Sequence, residues 1–292
     1  MEARFGDTAK IEVWTGYLWR DDSRNATVLF RSISLDPTAS SDDYDVDGPA
    51  IAIDADFGQF RSRLLFSQSD DEKDFSDPIG LSVGGDVGFG LFFVGGGTSA
   101  NQSRDTQIAE LDLLYEPFNW YGFTLGAGAK LLYLGDDITT NLSNTIATLD
   151  ITSEASTSAA GPMVALGYEL EAIGGSGLSI GAFASAALLK AKHSYDASFQ
   201  YVDGIFDSSG QSDASESQWI GAFEADISAR YRITDRASFG LGYKLRHVTD
   251  VASAGASQEA SIFSTAPSSI TPAVQTGSVT YHGAFANLTI KF

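Results

Sequence analysis

The chain has 292 residues, no Cys, and a formal net charge of -20, from 38 Asp and Glu against 18 Lys and Arg. Without Cys there is no disulfide and no thiolate metal site, and so acidic a chain is a poor match for nucleic acid. A mean hydropathy of -0.04, with no run near the roughly 18 apolar residues of a spanning helix, excludes a helical membrane protein, yet 19 Phe and 11 Tyr exceed what an ordinary acidic soluble chain carries.

The opening MEARFGDTAK has neither a basic stretch nor an apolar core, so for an exported chain the expectation is that its signal has been removed. Alternating segments follow at 9–20, 49–57, 60–68, 78–86, 89–97, 106–116, 122–134, 159–172, 177–194, 217–233, 237–250 and 278–292, which makes twelve. Each is about as long as a tilted strand that crosses a bilayer, roughly 9–11 residues.

The connections are of two kinds. Tight ones are FGQF at 57–60, DVG at 86–88, EPFNW at 116–120, IGGSG at 173–177 and TDRA at 234–237. Longer polar ones fall at 21–48, 69–77, 98–105, 135–158, 195–216 and 251–277, in strict alternation with the first kind. That asymmetry predicts an all-β, transmembrane, antiparallel up-and-down barrel of about twelve strands in one domain over 1–292, with short periplasmic turns and long extracellular loops.

The faces fit a barrel. In WIGAFEADISARYR, Phe223, Ala225, Ile227, Ala229 and Tyr231 share one parity, and Glu224, Asp226, Ser228, Arg230 and Arg232 the other. SFGLGYKLR sets Phe239, Leu241, Tyr243 and Leu245 against Gly240, Gly242, Lys244 and Arg246. Periodicity alone also allows a soluble barrel or sandwich with its charges outward. The loop alternation, the closing Phe292, and aromatics near strand ends (Trp19, Trp120, Tyr121, Trp219 and Tyr231) favour the membrane.

GPMVALGYELEAIGGSGLSIGAFASAALLKAK, EADISARYRITDRASFGLGYKLRHVTDV and the final YHGAFANLTIKF resemble, in order and spacing, the C-terminal half of the Legionella-type major outer membrane protein family. IEVWTGYLWR and DTQIAELDLLYEPFNWYGFTLGAGAKLLYL are similar to that family's first strand and central hairpin. The resemblance spans about half the chain and implies a pore-forming barrel in the bacterial outer membrane. Phe285 and Asn287 stand where the barrel-assembly signal favours a polar residue and Gly.

A two-residue turn at Gly58-Gln59 would pair Phe57 with Phe60, Asp56 with Arg61, and Asp54 with Arg63. Other inward candidates are the acids Glu110, Asp112, Glu169, Glu171, Glu224 and Asp226 and the bases Lys130, Arg230, Arg232, Lys244 and Arg246. Basic residues are expected to gather on the wall of 217–250 and acids on another, so that a water-filled path would carry a transverse field. Acids at 21–22, 40–48 and 69–77 would give a vestibule that favours cations.

DYDVDG, with Asp43, Asp45 and Asp47 before Gly48, matches the start of a calcium loop, although Pro49 follows and no helix flanks it. Ca2+ there is weighed against a plain solvated acidic loop, and no other cofactor is expected. His193, His247 and His282 lack the companion Ser spacing of outer-membrane acyl hydrolases, so no enzyme is expected. The apolar stretch ATVLFRSISL at 26–35 predicts a loop that folds over or into the mouth with Arg31 near a constriction, or one that packs against neighbouring loops or against a second barrel in a homo-oligomer.

The expected function is therefore an outer-membrane porin for small hydrophilic solutes or ions, mildly cation-preferring. The alternative is an occluded barrel acting through its loops as a structural or adhesive surface protein. Expected partners are outer-membrane lipid and lipopolysaccharide and the barrel-assembly machinery.

Overall fold

The computed structural model describes residues 9–22, 47–76, 83–86, 91–94, 99–143, 145, 147–170, 177–205, 207–254, 257 and 274–292. The strands are β1 (Lys10–Asp22), β2 (Gly48–Phe57), β3 (Phe60–Ser76), β4 (Val83–Asp86), β5 (Leu91–Val94), β6 (Ser99–Trp120), β7 (Phe123–Ser143), β8 (Thr148–Leu170), β9 (Leu178–Val202), β10 (Asp207–Arg232), β11 (Ala237–Ala252) and β12 (Thr276–Lys291). Ten of them form a closed antiparallel barrel in the order β1-β12-β11-β10-β9-β8-β7-β6-β3-β2. The first and last strands pair from Lys10↔Lys291 to Asp22↔Val279, so the final alternating segment closes the barrel.

The expected count of twelve is corrected to ten. The segments at 78–86 and 89–97 yield only the short pair β4 and β5, a separate two-stranded sheet. Alternation between Gly and Gly in VGGDVGFG names no buried face, so it does not pin a register in the barrel. β3 instead pairs directly with β6.

The loop lengths are corrected as well. Most of 69–77, 98–105, 135–158 and 195–216 is strand: β7 runs to Ser143 and β8 starts at Thr148, while β9 reaches Val202 and β10 starts at Asp207. The turn expected at 116–120 lies at Tyr121-Gly122, where both residues have positive φ (49° and 84°). Glu116 and Pro117 sit instead in a register shift between Tyr115 and Phe118, where a Pro without an N–H is accommodated. The Gly58-Gln59 turn is where the sequence puts it, with Phe57 opposite Phe60.

The outward face is divided sharply. On β8 the outward residues Ala160, Pro162, Val164, Leu166, Tyr168 and Leu170 are apolar, and further out they become Thr148, Asp150, Thr152, Glu154, Ser156 and Ser158. The same change occurs between Ala109 and Gln107 on β6, between Leu188 and Lys190 on β9, and between Trp219 and Ser217 on β10. Below it lie exposed Leu113, Leu125, Val164, Ile227 and Leu241, bounded by Phe57, Phe60, Trp120, Tyr121 and Tyr231 at one rim and Trp19, Tyr133 and Trp219 at the other. A closed sheet with a lipid-width apolar belt and aromatic rims is a transmembrane barrel, because lipid leaves backbone groups no partner but each other.

Beyond the belt the barrel is lopsided. β3, β6, β7, β8, β9 and β10 continue outward, whereas β11, β12, β1 and β2 end close to the rim. From Ser217 back to Asp207, about eleven residues of β10 rise roughly 25–30 Å above the belt at ordinary strand pitch and tilt.

Candidate functional site

The inward face within the belt is filled. Asp54 and Arg63 stand opposite each other on β2 and β3 as the turn requires, and Arg63 donates from Nε to Asp54 Oδ1 (2.7 Å) and from Nη2 to Oδ2 (3.0 Å). Asp56 faces Arg61 in register, but its carboxylate accepts the Gly58 N–H (3.1 Å). Arg61 turns to Glu116 (3.7 Å) and Asp54 (4.0 Å).

The decisive contacts cross the lumen. β3 and β10 lie on opposite sides of the ten-strand order, as do β6 and β11. Arg63 of β3 nevertheless pairs with Glu224 of β10, and it also reaches Asp226 (3.2 Å). Arg246 of β11 donates from Nη1 to Glu110 of β6 (3.0 Å) and from Nη2 to Glu224 (3.1 Å). Lys130 of β7 pairs with Glu110, lies 2.9 Å from Asp112, and is 3.7 Å from Glu224. Lys244 reaches Asp226 (3.5 Å) and stands over the Trp14 ring (4.3 Å), while Arg63 lies 4.5 Å from the Phe183 ring centre.

Acids and bases thus interlock rather than separating onto two walls, which corrects the expected segregation. The cations Arg61, Arg63, Lys130, Lys244 and Arg246 each lie within 4.0 Å of at least one of the carboxylates Asp54, Glu110, Asp112, Glu116, Glu224 and Asp226. Side-chain oxygens of Glu110, Asp112 and Glu224 lie within 4.8 Å of one another, a spacing a metal ion could use. The Lys130 ammonium contacts all three and takes the place such an ion would occupy.

One step further out, the next inward residues are Leu65 on β3, Ile108 on β6, Leu132 on β7 and Val248 on β11, all in one buried cluster with Leu189, Ile220 and Val279. An apolar layer therefore lies on top of the ionic one. Toward the rim that carries the short turns, Arg230 pairs with Glu169 (3.4 Å) and Glu12 (3.8 Å), and Arg232 is exposed. Glu12 also accepts from Asn287 Nδ2 (2.6 Å) and Thr289 Oγ1 (3.3 Å), which ties the first strand to the last. Its inward parity with Trp14 in IEVW was the available signal for it.

Above the belt a second set of groups holds the start and end of the 253–275 connection in the mouth. Ala252 N donates to Thr157 Oγ1 (2.9 Å), and Ala254 N to Asp136 Oδ2 (2.9 Å). Ala252, Ala254 and Val274 pack with Ile138, Ala155 and Tyr195. Arg104 grips Asp136 from Nε (2.7 Å) and Nη2 (3.1 Å), and Arg20 lies 4.0 Å away. Burial opposes the Asp136 charge, but these two guanidiniums and the Ala254 N–H hold its carboxyl below the usual range. His193, buried behind Thr157 (2.9 Å), is held below the usual imidazole range by burial, with Glu216 and Asp250 offsetting part of it. Arg104, Asp136 and Thr157 were not found from the sequence, because 98–105 and 135–158 read as loops, and His193, in the expected strand 177–194, is weighed there only as a hydrolase histidine.

The remaining histidines lie near the rim: His247 Nδ1 is 2.9 Å from Thr280 Oγ1, and His282 Nδ1 is 2.6 Å from the Tyr243 hydroxyl with Nε2 3.3 Å from Asp21. Of the calcium-loop acids only Asp47 is described, and it accepts the Arg20 N–H (3.3 Å). Asp43, Asp45, Arg31 with its loop 26–35, and Glu171 lie outside the described residues.

No family model and no curated protein matches the chain. Among solved structures it is similar to the outer membrane protease OmpT from Escherichia coli, at 9% identity over 100% of this chain and 99% of that one, with a TM-score of 0.48. It is similar also to Ail, the attachment invasion locus protein of Yersinia pestis (7% identity, 97% and 99% covered, TM-score 0.25). A third is the transport unit of the autotransporter AIDA-I from Escherichia coli (9%, 100% and 93%, 0.30). At such identities no residue role transfers, and membrane placement rests on the belt, rims and closure described above. The resemblance to the Legionella-type family stands on its quoted segments alone.

Proposed function

We propose that this chain is an outer-membrane barrel of the Gram-negative cell envelope whose lumen is sealed, and that it works through its outer wall and loops as a structural or adhesive surface protein. One observation carries this reading: Arg63–Glu224 and Arg246–Glu110 join opposed strands directly across the lumen. A hydrated solute would have to part both pairs and then cross the layer of Leu65, Ile108, Leu132 and Val248. Apolar constrictions of this kind resist wetting. Lipid and lipopolysaccharide would surround the belt, and insertion would depend on the barrel-assembly machinery reading the closing strand.

A porin with mild cation preference is the second reading, favoured by the fact that the described seal consists of side chains, which move more readily than inserted backbone. Liposome swelling separates the two. Vesicles carrying the refolded full chain should keep their volume in a small sugar such as arabinose, and swelling in proportion to the protein inserted would overturn the sealed-lumen reading.

A further inference from the structure

Among the described strands, the tall side of the barrel is a sheet with two lateral edges. β10 pairs with β9 back to Asp207, but its pairing with β11 begins only at Ala222. From Asp207 to Ile220, no described strand is paired backbone to backbone along its second edge. Among the described residues, Gln218 Nε2 at the base of this stretch donates to the Asp250 carbonyl (3.2 Å), and Ala214 packs against the cluster that holds Ala252, Ala254 and Val274. In an antiparallel ladder alternate residues aim both N–H and C=O to each side, so this edge offers a row of backbone donors and acceptors. Long edges are ordinarily guarded by charged side chains, Lys above all, by Pro or by a bulge. DSSGQSDASESQWI has no Lys, no Pro and no register shift in its ladder with β9, and its charged residues, Asp207, Asp213 and Glu216, are all acids, which repel an acidic strand but not a basic one.

The wall also carries a continuous row of carboxylates. Asp70↔Asp105, Asp105↔Asp137, Asp137↔Glu154, Glu154↔Asp196 and Asp196↔Asp213 are all direct cross-strand partners. All six face outward, beyond the apolar belt, and the row ends on the β10 edge. Like charges directly opposite are destabilising. The nearest outward cations on the described wall, Lys190 and Lys192, lie lower, with Lys192 opposite Ser158 and Ser217.

We propose that the β10 edge is a docking strand for an extended basic polypeptide, which joins the wall by β-augmentation and sets a Lys or Arg opposite Asp213. Backbone hydrogen bonds along 207–220 give the attachment and the carboxylate row selects the charge. A second copy fits worse, because its own β10 would bring Asp207, Asp213 and Glu216 against the same three acids. The inference rests on the reading that the outer wall is the working part. Solute flux tests that reading separately, since a leaky barrel would leave the edge as it is.

The test uses the refolded full chain in nanodiscs, a ten-residue peptide alternating Lys and Val, and its Glu–Val counterpart. The Lys–Val peptide should bind, and hydrogen exchange should slow at amides within 207–220. Asp213→Lys should weaken that binding roughly tenfold and admit the Glu–Val peptide, with Asp213→Asn in between. Binding without protection of 207–220 would mean adsorption to the acidic face and would overturn the proposal, as would no binding. Protection already present without peptide would also overturn it, doubled mass identifying a second copy and monomer mass the chain's own residues.

Discussion

Glu224→Gln probes the ionic seal at its most connected carboxylate. Glu224 receives Arg63, Arg246 at 3.1 Å and Lys130 at 3.7 Å, and it is 4% exposed. The substitution keeps side-chain volume but removes the charge that Arg63, Arg246 and Lys130 share. Removing one partner of a buried pair costs about 3–5 kcal/mol. Arg63 retains Asp54, Arg246 retains Glu110, and Lys130 retains Glu110 and Asp112, so the expected cost lies at the lower end, about 3 kcal/mol. Urea unfolding of the lipid-inserted barrel, followed by Trp fluorescence, gives the number. Adding Arg63→Gln removes the cation that faces Glu224 across the lumen, so the double variant should lose at least 1 kcal/mol less than the sum of the singles. A single-variant cost below about 1 kcal/mol, or strict additivity, would refute a cross-lumen network.

Three further outcomes are expected. Leu241→Arg, on the lipid face and 60% exposed in the barrel alone, should cost about 2–4 kcal/mol in vesicles, and a neutral result would remove the belt from the bilayer. Asp137, raised from 3.8 to about 6 by burial and then by Glu154, Asp136 and Asp105, is harder to ionise folded than unfolded. Its cost is therefore full above about pH 6 and is relieved as pH falls from about 6 toward 3.8, so exchange protection of the outer wall should increase over that window, and Asp137→Asn should flatten the rise. Thr157→Val removes the acceptor for Ala252 N–H and should cost about 1–3 kcal/mol of local stability, seen as faster exchange at 252–254; unchanged exchange would detach that segment from Thr157.

Much of the barrel is legible in the sequence where one face is apolar and the other charged. Phe223 to Arg232 and Phe239 to Arg246 alternate as read, and the Gly58-Gln59 turn sets Asp54 against Arg63. Reading failed where that contrast vanishes. TSEASTSAA puts small residues on both faces, so that part of β8 passed for a loop, whereas the outer end of β9 does alternate, with buried Tyr195, Phe199 and Tyr201 against Asp196, Ser198 and Gln200, a signal that its polar composition hid. In VGGDVGFG the opposite ambiguity turned a short side hairpin into two barrel strands. The seal was not legible because Arg63 and Glu224 are 161 residues apart and meet only once the strand order makes β3 and β10 opposite walls.

Single-channel recording in planar bilayers tests the sealed lumen most directly. Well-folded wild-type barrel should give a flat trace at every voltage that the bilayer tolerates, whereas Leu132→Gly combined with Arg63→Gln and Glu224→Gln, which thins both layers, should produce discrete steps. Reproducible steps from the wild type, equal in size to those of the triple variant, would contradict the account.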